Sequence, residues 1–241
     1  MSAVIRPGLR EQVRADPPNW ALEPIQAWDD LRIRAMGPFV TQDYWTDQGS
    51  VNVFRVVGTE HVDYQGRAWL DFLETGNPMD PDRNNRMDRN LALHASHPDY
   101  YQQTQRKVPG MYYRSLDGLS WYVGADGNHR TCIARFDFFA KGLTTLHGVT
   151  LNHTVVDEEL FDLFQRLMDV RLERRMDNHL QVYRQALRRE DTAGWKLDHY
   201  KVRLDYMTPE GCHVLLDAAG GYELLRELTA PPRRRWWGIA R

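Results

Sequence analysis

The chain reads as an α+β protein: a mixed sheet with flanking helices, followed by a mainly helical C-terminal extension. Three observations predict this. Residues 51–57, VNVFRVV, alternate as a strand does and end at Gly58. Residues 110–114 and 119–123 flank Asp117-Gly118, a dipeptide that favours a tight β-hairpin. From Asp157 onward, Leu160, Phe164, Met168, Leu172, Met176 and Leu180 recur at every fourth residue with Leu163 and Leu167 beside them, which predicts one long helix. With 241 residues and 42% hydrophobic content, the chain can bury one substantial core. The predicted organisation is an N-terminal arm and helix over 1–50, a core over 51–156 with an insertion near 79–107, and an extension over 157–241 that ends in a basic aromatic tail.

Residues 1–19, charged and proline-containing, read as an ordered arm or a loose tail without the apolar stretch of a secretory leader, and no window approaches the roughly 20 apolar residues of a membrane span. A cytoplasmic protein without membrane contact is expected. Cys132 and Cys212 match neither a disulfide framework nor a zinc spacing, which fits a reducing compartment. The formal charge of -2 and pI near 6.5 supply no overall basic field, so any contact with DNA must come from a local patch.

Residues 21–36 read as a helix with Ile25, Trp28, Leu31 and Ile33 mostly on one side, stopped by Gly37-Pro38. A second helix is predicted over 66–74, before the breaker Gly76-Asn77-Pro78. The polar interval 79–107 reads as a basic, adaptable insertion, with Arg83 and Arg86 as candidate nucleic-acid contacts. Its run DPDRNN imitates the start of a calcium loop, but the sixth position is Asn85 where glycine is needed and the twelfth is Leu91 where a bidentate glutamate is needed.

The hairpin delivers the chain to residues 121–142, WYVGADGNHRTCIARFDFFAKG, the stretch most informative about function. It reads as strand, sharp turn, then a helix with Cys132, Phe136, Phe139 and Leu143 on one face. His129 and Arg130 fall at the mouth of that helix. A helix start carries unpaired N–H groups and the positive end of the macrodipole, and an arginine can grip phosphate with a two-pronged fork, so a phosphate site is predicted. Gly127 allows positive φ, and Asp126 or Asn128 can cap the helix. Gly142 is a helix stop, and 148–156 reads as the next strand.

In the extension, Asp157, Glu158 and Glu159 suit a helix start. Arg166, Arg171, Arg174, Arg175, Arg184, Arg188 and Arg189 occupy the other face of the predicted helix, partly neutralised by Asp169, Glu173 and Asp177. Residues 195–207 suggest one or two strands, and 211–228 a strand and a helix. In the tail, Arg233, Arg234, Arg235 and Trp236 can pair with phosphates and stack on unpaired bases, or dock on a protein surface.

The run Asp126-Gly127-Asn128-His129-Arg130 between strand and helix resembles the DG-x-HR signature of the ParB/sulfiredoxin superfamily. Residues 67–79, RAWLDFLETGNPM, resemble the helix-then-glycine segment that precedes this motif, and the likeness covers roughly 51–156. Sulfiredoxins carry a cysteine directly before the His-Arg pair, where this chain has Asn128. Partition proteins that bind CTP carry a G-E-R-R type motif and a following helix-turn-helix domain, and this chain matches neither. The DG-x-HR members are closer in pattern, most of all the Osa-type fertility-inhibition proteins of conjugative plasmids and integrative elements.

That resemblance implies a ParB/sulfiredoxin-like fold and a nucleotide-dependent phosphohydrolase, an ATPase with DNase activity, that inhibits conjugative DNA transfer. It implies ATP or another nucleotide with Mg²⁺ as cofactors, and DNA and conjugation or type IV secretion components as partners. Gly127, Asn128, His129, Arg130 and Thr131 would hold the phosphates, with Arg67 as an outlying contact. His129 would contact phosphate or move a proton, and Arg130 would neutralise developing charge. Asp126 would orient His129 or hold Mg²⁺ through water, and Glu60 would be the acidic partner. The alternatives are a non-enzymatic nucleotide- or DNA-binding regulator of a conjugation or DNA-modification partner, and a small-molecule kinase.

Overall fold

The computed structural model describes residues 8–76, 81–176 and 179–230. The elements in chain order are α1 (Leu9–Ala15), β1 (Gln26–Ala27), α2 (Asp30–Met36), β2 (Val40–Asn52), β3 (Val56–Thr59), α3 (Trp69–Thr75), α4 (Pro81–Ser96), α5 (Asp99–Gln102), β4 (Tyr112–Ser115), β5 (Trp121–Val123), α6 (Asn128–Lys141), β6 (Thr145–Val156), α7 (Glu158–Arg174), β7 (Leu180–Thr192), β8 (Trp195–Met207), β9 (His213–Leu216) and α8 (Ala218–Thr229). The architecture is α+β, a mixed sheet with flanking helices. Among the described residues, no helix is long and apolar enough to cross a membrane.

The chain divides into two compact units, and the division is not sequential. The first takes residues up to 31, 42–155 and 188–198; the second takes 32–41, 156–187 and 199 onward. Most of the predicted arm (1–50) and the predicted core (51–156) thus belong to one unit.

In the first unit the strands run β1-β3-β5-β4-β6-β2 across the sheet. β1/β3, β3/β5 and β4/β6 are parallel, and β4/β5 is the antiparallel hairpin expected around Asp117-Gly118. The Asp117 carboxylate accepts from the Leu119 and Ser120 N–H groups at 2.8 Å each, which fixes that turn. Helix α6 is the centre of the unit's core: every residue from His129 to Phe138 is buried. The predicted apolar face is only half right, because Cys132 and Phe136 are buried while Phe139 and Leu143 are 48% and 39% exposed. Ile133, Ala134 and Phe138 are buried instead, so the helix is enclosed on nearly all sides and surfaces only in its last turn. That enclosure takes in a cation. The Arg135 guanidinium lies 4.5 Å from the Trp20 ring centroid and 4.3 Å from that of Trp69, and it donates to the carbonyls of Val53 and Val56.

Three predicted elements of this unit are corrected. Residues 51–57 are not one strand: β2 ends at Asn52, a 3₁₀ turn covers Val53–Arg55, and β3 starts at Val56. Residues 21–36 do not form one helix: a 3₁₀ turn covers Asn19–Leu22, β1 follows, and α2 starts only at Asp30. Pro24 interrupts a helix interior, and the next N–H, of Ile25, bonds the Arg67 carbonyl at 2.8 Å instead. The interval 79–107 is largely helical rather than loop-like, as α4 and α5. Met87 is fully buried, and His94 Nε2 lies 2.9 Å from the buried Asp137 carboxylate, so α4 meets α6 through apolar and polar contacts together.

The second unit packs α7 and α8 over a core of Phe39, Leu160, Leu163, Leu167, Leu204, Leu225 and neighbours. Its part of the extension is not mainly helical. Helix α7 stops at Arg174, with Arg175 left-handed at φ 53°, and β7, β8 and β9 follow. A strict four-residue repeat drifts about 40° around a helix at each step. By Leu172 the series has therefore left the core face, and that residue is 71% exposed. The predicted arginine face is likewise divided between elements: Arg166, Arg171 and Arg174 are on α7, whereas Arg184, Arg188 and Arg189 are on β7.

Candidate functional site

The site is built on the turn from β5 into α6. The Gly124 N–H donates to the Tyr112 carbonyl at 2.8 Å and the Tyr112 N–H to the Asp126 carbonyl at 3.1 Å, which stitches the turn to the start of β4. Gly127 stands at the helix cap position with φ 120° and ψ -2°. A side chain there would be strained by φ alone, and its Cβ would lie 3.4 Å from Met111 Cα. The expected side-chain cap is corrected: neither Asp126 nor Asn128 caps α6, because Gly127 is the cap residue and Asn128 is already inside the helix. Asp126 uses one carboxylate oxygen to accept from the Gly127 N–H at 2.7 Å and the other to hold Arg130 at 2.7 Å.

A polar cavity of about 280 Å³ opens at this helix start. Asp126, Gly127, His129 and Arg130 line it from the turn and α6, Arg86 and Asn90 from α4, and Pro109 from the loop before β4. The His129 side chain is 8% exposed, with its ring against Tyr64 and Phe72 at centroid distances of 5.6 and 5.2 Å. Its Nε2 is buried and has no hydrogen-bond partner. Burial, reinforced by the charges of Arg86 and Arg130, pushes its pKa down to about 4, so the imidazole is neutral at pH 7. Arg130 is also buried, and besides Asp126 it donates to the Gly110 carbonyl at 3.0 Å. The cavity thus presents two guanidinium groups, one neutral imidazole and an uncapped helix start against a single carboxylate.

The structure brings Asp126, Gly127, His129, Arg130 and Arg86 together, and it places other predicted site residues elsewhere. Thr131 is fully buried, its hydroxyl 2.8 Å from that of Tyr113. Glu60 follows β3, where its carboxylate holds Arg114 at 2.5 Å and approaches Gly124 rather than the cavity. Arg67 is tied to Asp71 at 2.6 Å, to the Thr75 hydroxyl at 2.6 Å and to the Gly76 carbonyl, and it does not line the cavity. Arg233, Arg234, Arg235, Trp236 and the Arg83 side chain lie outside the described residues.

Asn90 and Pro109 are lining residues that the sequence reading missed. The signal for Asn90 is the spacing of Met87, Leu91 and His94, which marks α4 as a helix and turns Arg86 and Asn90 to a common side.

Among the described residues there is no cluster of three or more histidine, cysteine or acidic side chains able to hold a metal alone. Mg²⁺ does not need one, since it is commonly held by one or two carboxylates together with substrate phosphates and water. Asp126 is the lining carboxylate for that role, and each of its oxygens keeps a lone pair beside the contact it already makes.

No family model, curated protein or solved structure matches the chain.

Proposed function

We propose that the chain binds a nucleotide by its phosphates at the start of α6 and hydrolyses it, as a phosphohydrolase of the ATPase type. One observation carries this reading: His129, more than nine-tenths buried and with no partner for its Nε2, lines a polar cavity at an uncapped helix start. A buried polar atom without a partner costs about 1–3 kcal/mol, and a phosphate oxygen is the partner that this surrounding charge favours.

The roles follow from the contacts. The first N–H groups of α6 and the Arg86 and Arg130 guanidinium groups meet the phosphate charge. The neutral His129 either donates Nε2–H to a phosphate oxygen or takes a proton from the attacking water. Arg130, already fixed by Asp126 and the Gly110 carbonyl, is positioned in advance for charge that builds in the transition state. Mg²⁺, when bound with the nucleotide, supplies further neutralisation of the phosphates. The resemblance of residues 126–130 to the DG-x-HR signature supports the same chemistry. It also adds the setting we propose, inhibition of conjugative transfer with DNA as a second substrate.

A second reading, a module that binds nucleotide without consuming it, is favoured by a different observation. Among the described lining residues the only carboxylate is Asp126, and it is committed to Arg130 and Gly127. Phosphate release from ATP with Mg²⁺, with and without DNA, decides between the two. The hydrolase reading expects release that falls at least tenfold in Arg130→Ala and His129→Ala. Nucleotide binding with no release above those variants would overturn it in favour of the binding module.

A further inference from the structure

A second cavity, of about 440 Å³, adjoins the phosphate pocket and shares Asn90, Pro109 and Arg130 with it. Its remaining wall comes from the end of α4, from α5 and from the loop before β4, the segment whose sequence reads as a polar insertion. Here the lining is different in kind. Leu93 and Val108 line it while being 58% and 80% exposed, so two large apolar side chains stand beside the polar pocket. Tyr100 and Tyr101 add aromatic surface, with ring centroids 5.0 Å apart and edge to face.

The aromatic wall is held in place. The Tyr100 hydroxyl donates to the Pro109 carbonyl at 2.7 Å. The buried Lys107 ammonium sits 5.3 Å from the Tyr100 ring centroid and donates to the Gln103 carbonyl at 2.7 Å. Lys107 is itself anchored through its N–H to the Gly148 carbonyl at 2.7 Å. Strand β6 can approach that segment so closely only because residue 148 lacks a side chain: a Cβ there would fall 1.8 Å from the Gln105 carbonyl oxygen.

We infer that the two cavities form one site for a nucleoside polyphosphate, with the phosphates at the start of α6 and the base and sugar in the larger cavity against Leu93, Tyr100 and Val108. Arg130 stands at the junction. The inference rests on the phosphate reading above and deepens it. A phosphate or pyrophosphate ligand would fill only the smaller, polar pocket, whereas a flat base with a sugar suits a larger chamber of apolar and aromatic lining edged by polar groups such as Gln103 and His97. The insertion is then the element that selects a nucleotide over a bare phosphate.

Calorimetric titration of the full chain with ADP, pyrophosphate and ribose 5-phosphate, repeated on Leu93→Asp and Val108→Asp, tests this. ADP is expected to bind at least tenfold more tightly than pyrophosphate or ribose 5-phosphate. Both substitutions are at exposed positions, so melting temperatures should stay close to that of the parent, and each should remove most of the ADP advantage while leaving pyrophosphate affinity within twofold. Equal affinity for ADP and pyrophosphate, or an ADP advantage that survives both substitutions, would overturn the inference and leave the phosphate pocket standing. Absence of binding by all three ligands would overturn the phosphate reading with it.

Discussion

Helices α6 and α7 begin in opposite ways. At α7 the Asp157 carboxylate accepts from the Leu160 N–H at 2.9 Å, and Glu158 and Glu159 occupy the first turn. The positive end of that helix is answered from within the chain. At α6 the cap residue is a glycine, no side chain bonds the first N–H groups, and the first turn contains no acid. Histidine and arginine stand there instead. One helix start is closed by its own sequence and the other is not, and the open one adjoins a cavity lined by His129, whose buried Nε2 has no partner.

Substitutions at the two caps should have different effects. The larger effect is expected for Gly127→Ala. With φ at 120°, an L side chain stores strain of about 1–3 kcal/mol, and relieving it shifts the turn that lines the cavity. Chemical denaturation should register the lost stability, and pyrophosphate affinity should fall with it. Asp157→Ala should be milder, about 1 kcal/mol for a lost cap, with pyrophosphate affinity unchanged. If the two variants weakened ligand binding equally, the distinction between the helix starts would fail.

The site's turn was legible in the sequence because its requirements are local. Gly127, Asp126 and the His-Arg pair sit within five residues, and a strand before them and a helix after them fix their geometry. Arg86 was noticed only as a basic residue, since its place beside His129 depends on how α4 meets α6 through Met87 and the contact of His94 with Asp137. Glu60 illustrates the opposite case. The family resemblance suggested this residue, just past a strand, as a catalytic carboxylate, but the pairing with Arg114 arises from the β3, β5 and β4 neighbourhood, which strand order alone creates. In the second unit, Leu180 fitted a helical series and equally well the alternation Leu180, Val182 of a strand, so spacing could not say where α7 would stop.

Whether a phosphate group meets His129 at the start of α6 is read out by titrating that imidazole by NMR with and without pyrophosphate. In the free protein its pKa is near 4, below the ordinary value of about 6.5, so the neutral ring supports the fold above about pH 6.5 and that support is lost as pH falls toward 4. A phosphate anion beside Nε2 favours the imidazolium, so ligand should raise the His129 pKa by about one unit or more and shift the Asn128 and His129 amide resonances at the same ligand concentration. An imidazole that titrates at the same pH with saturating pyrophosphate bound, or amides that do not move, would contradict the account.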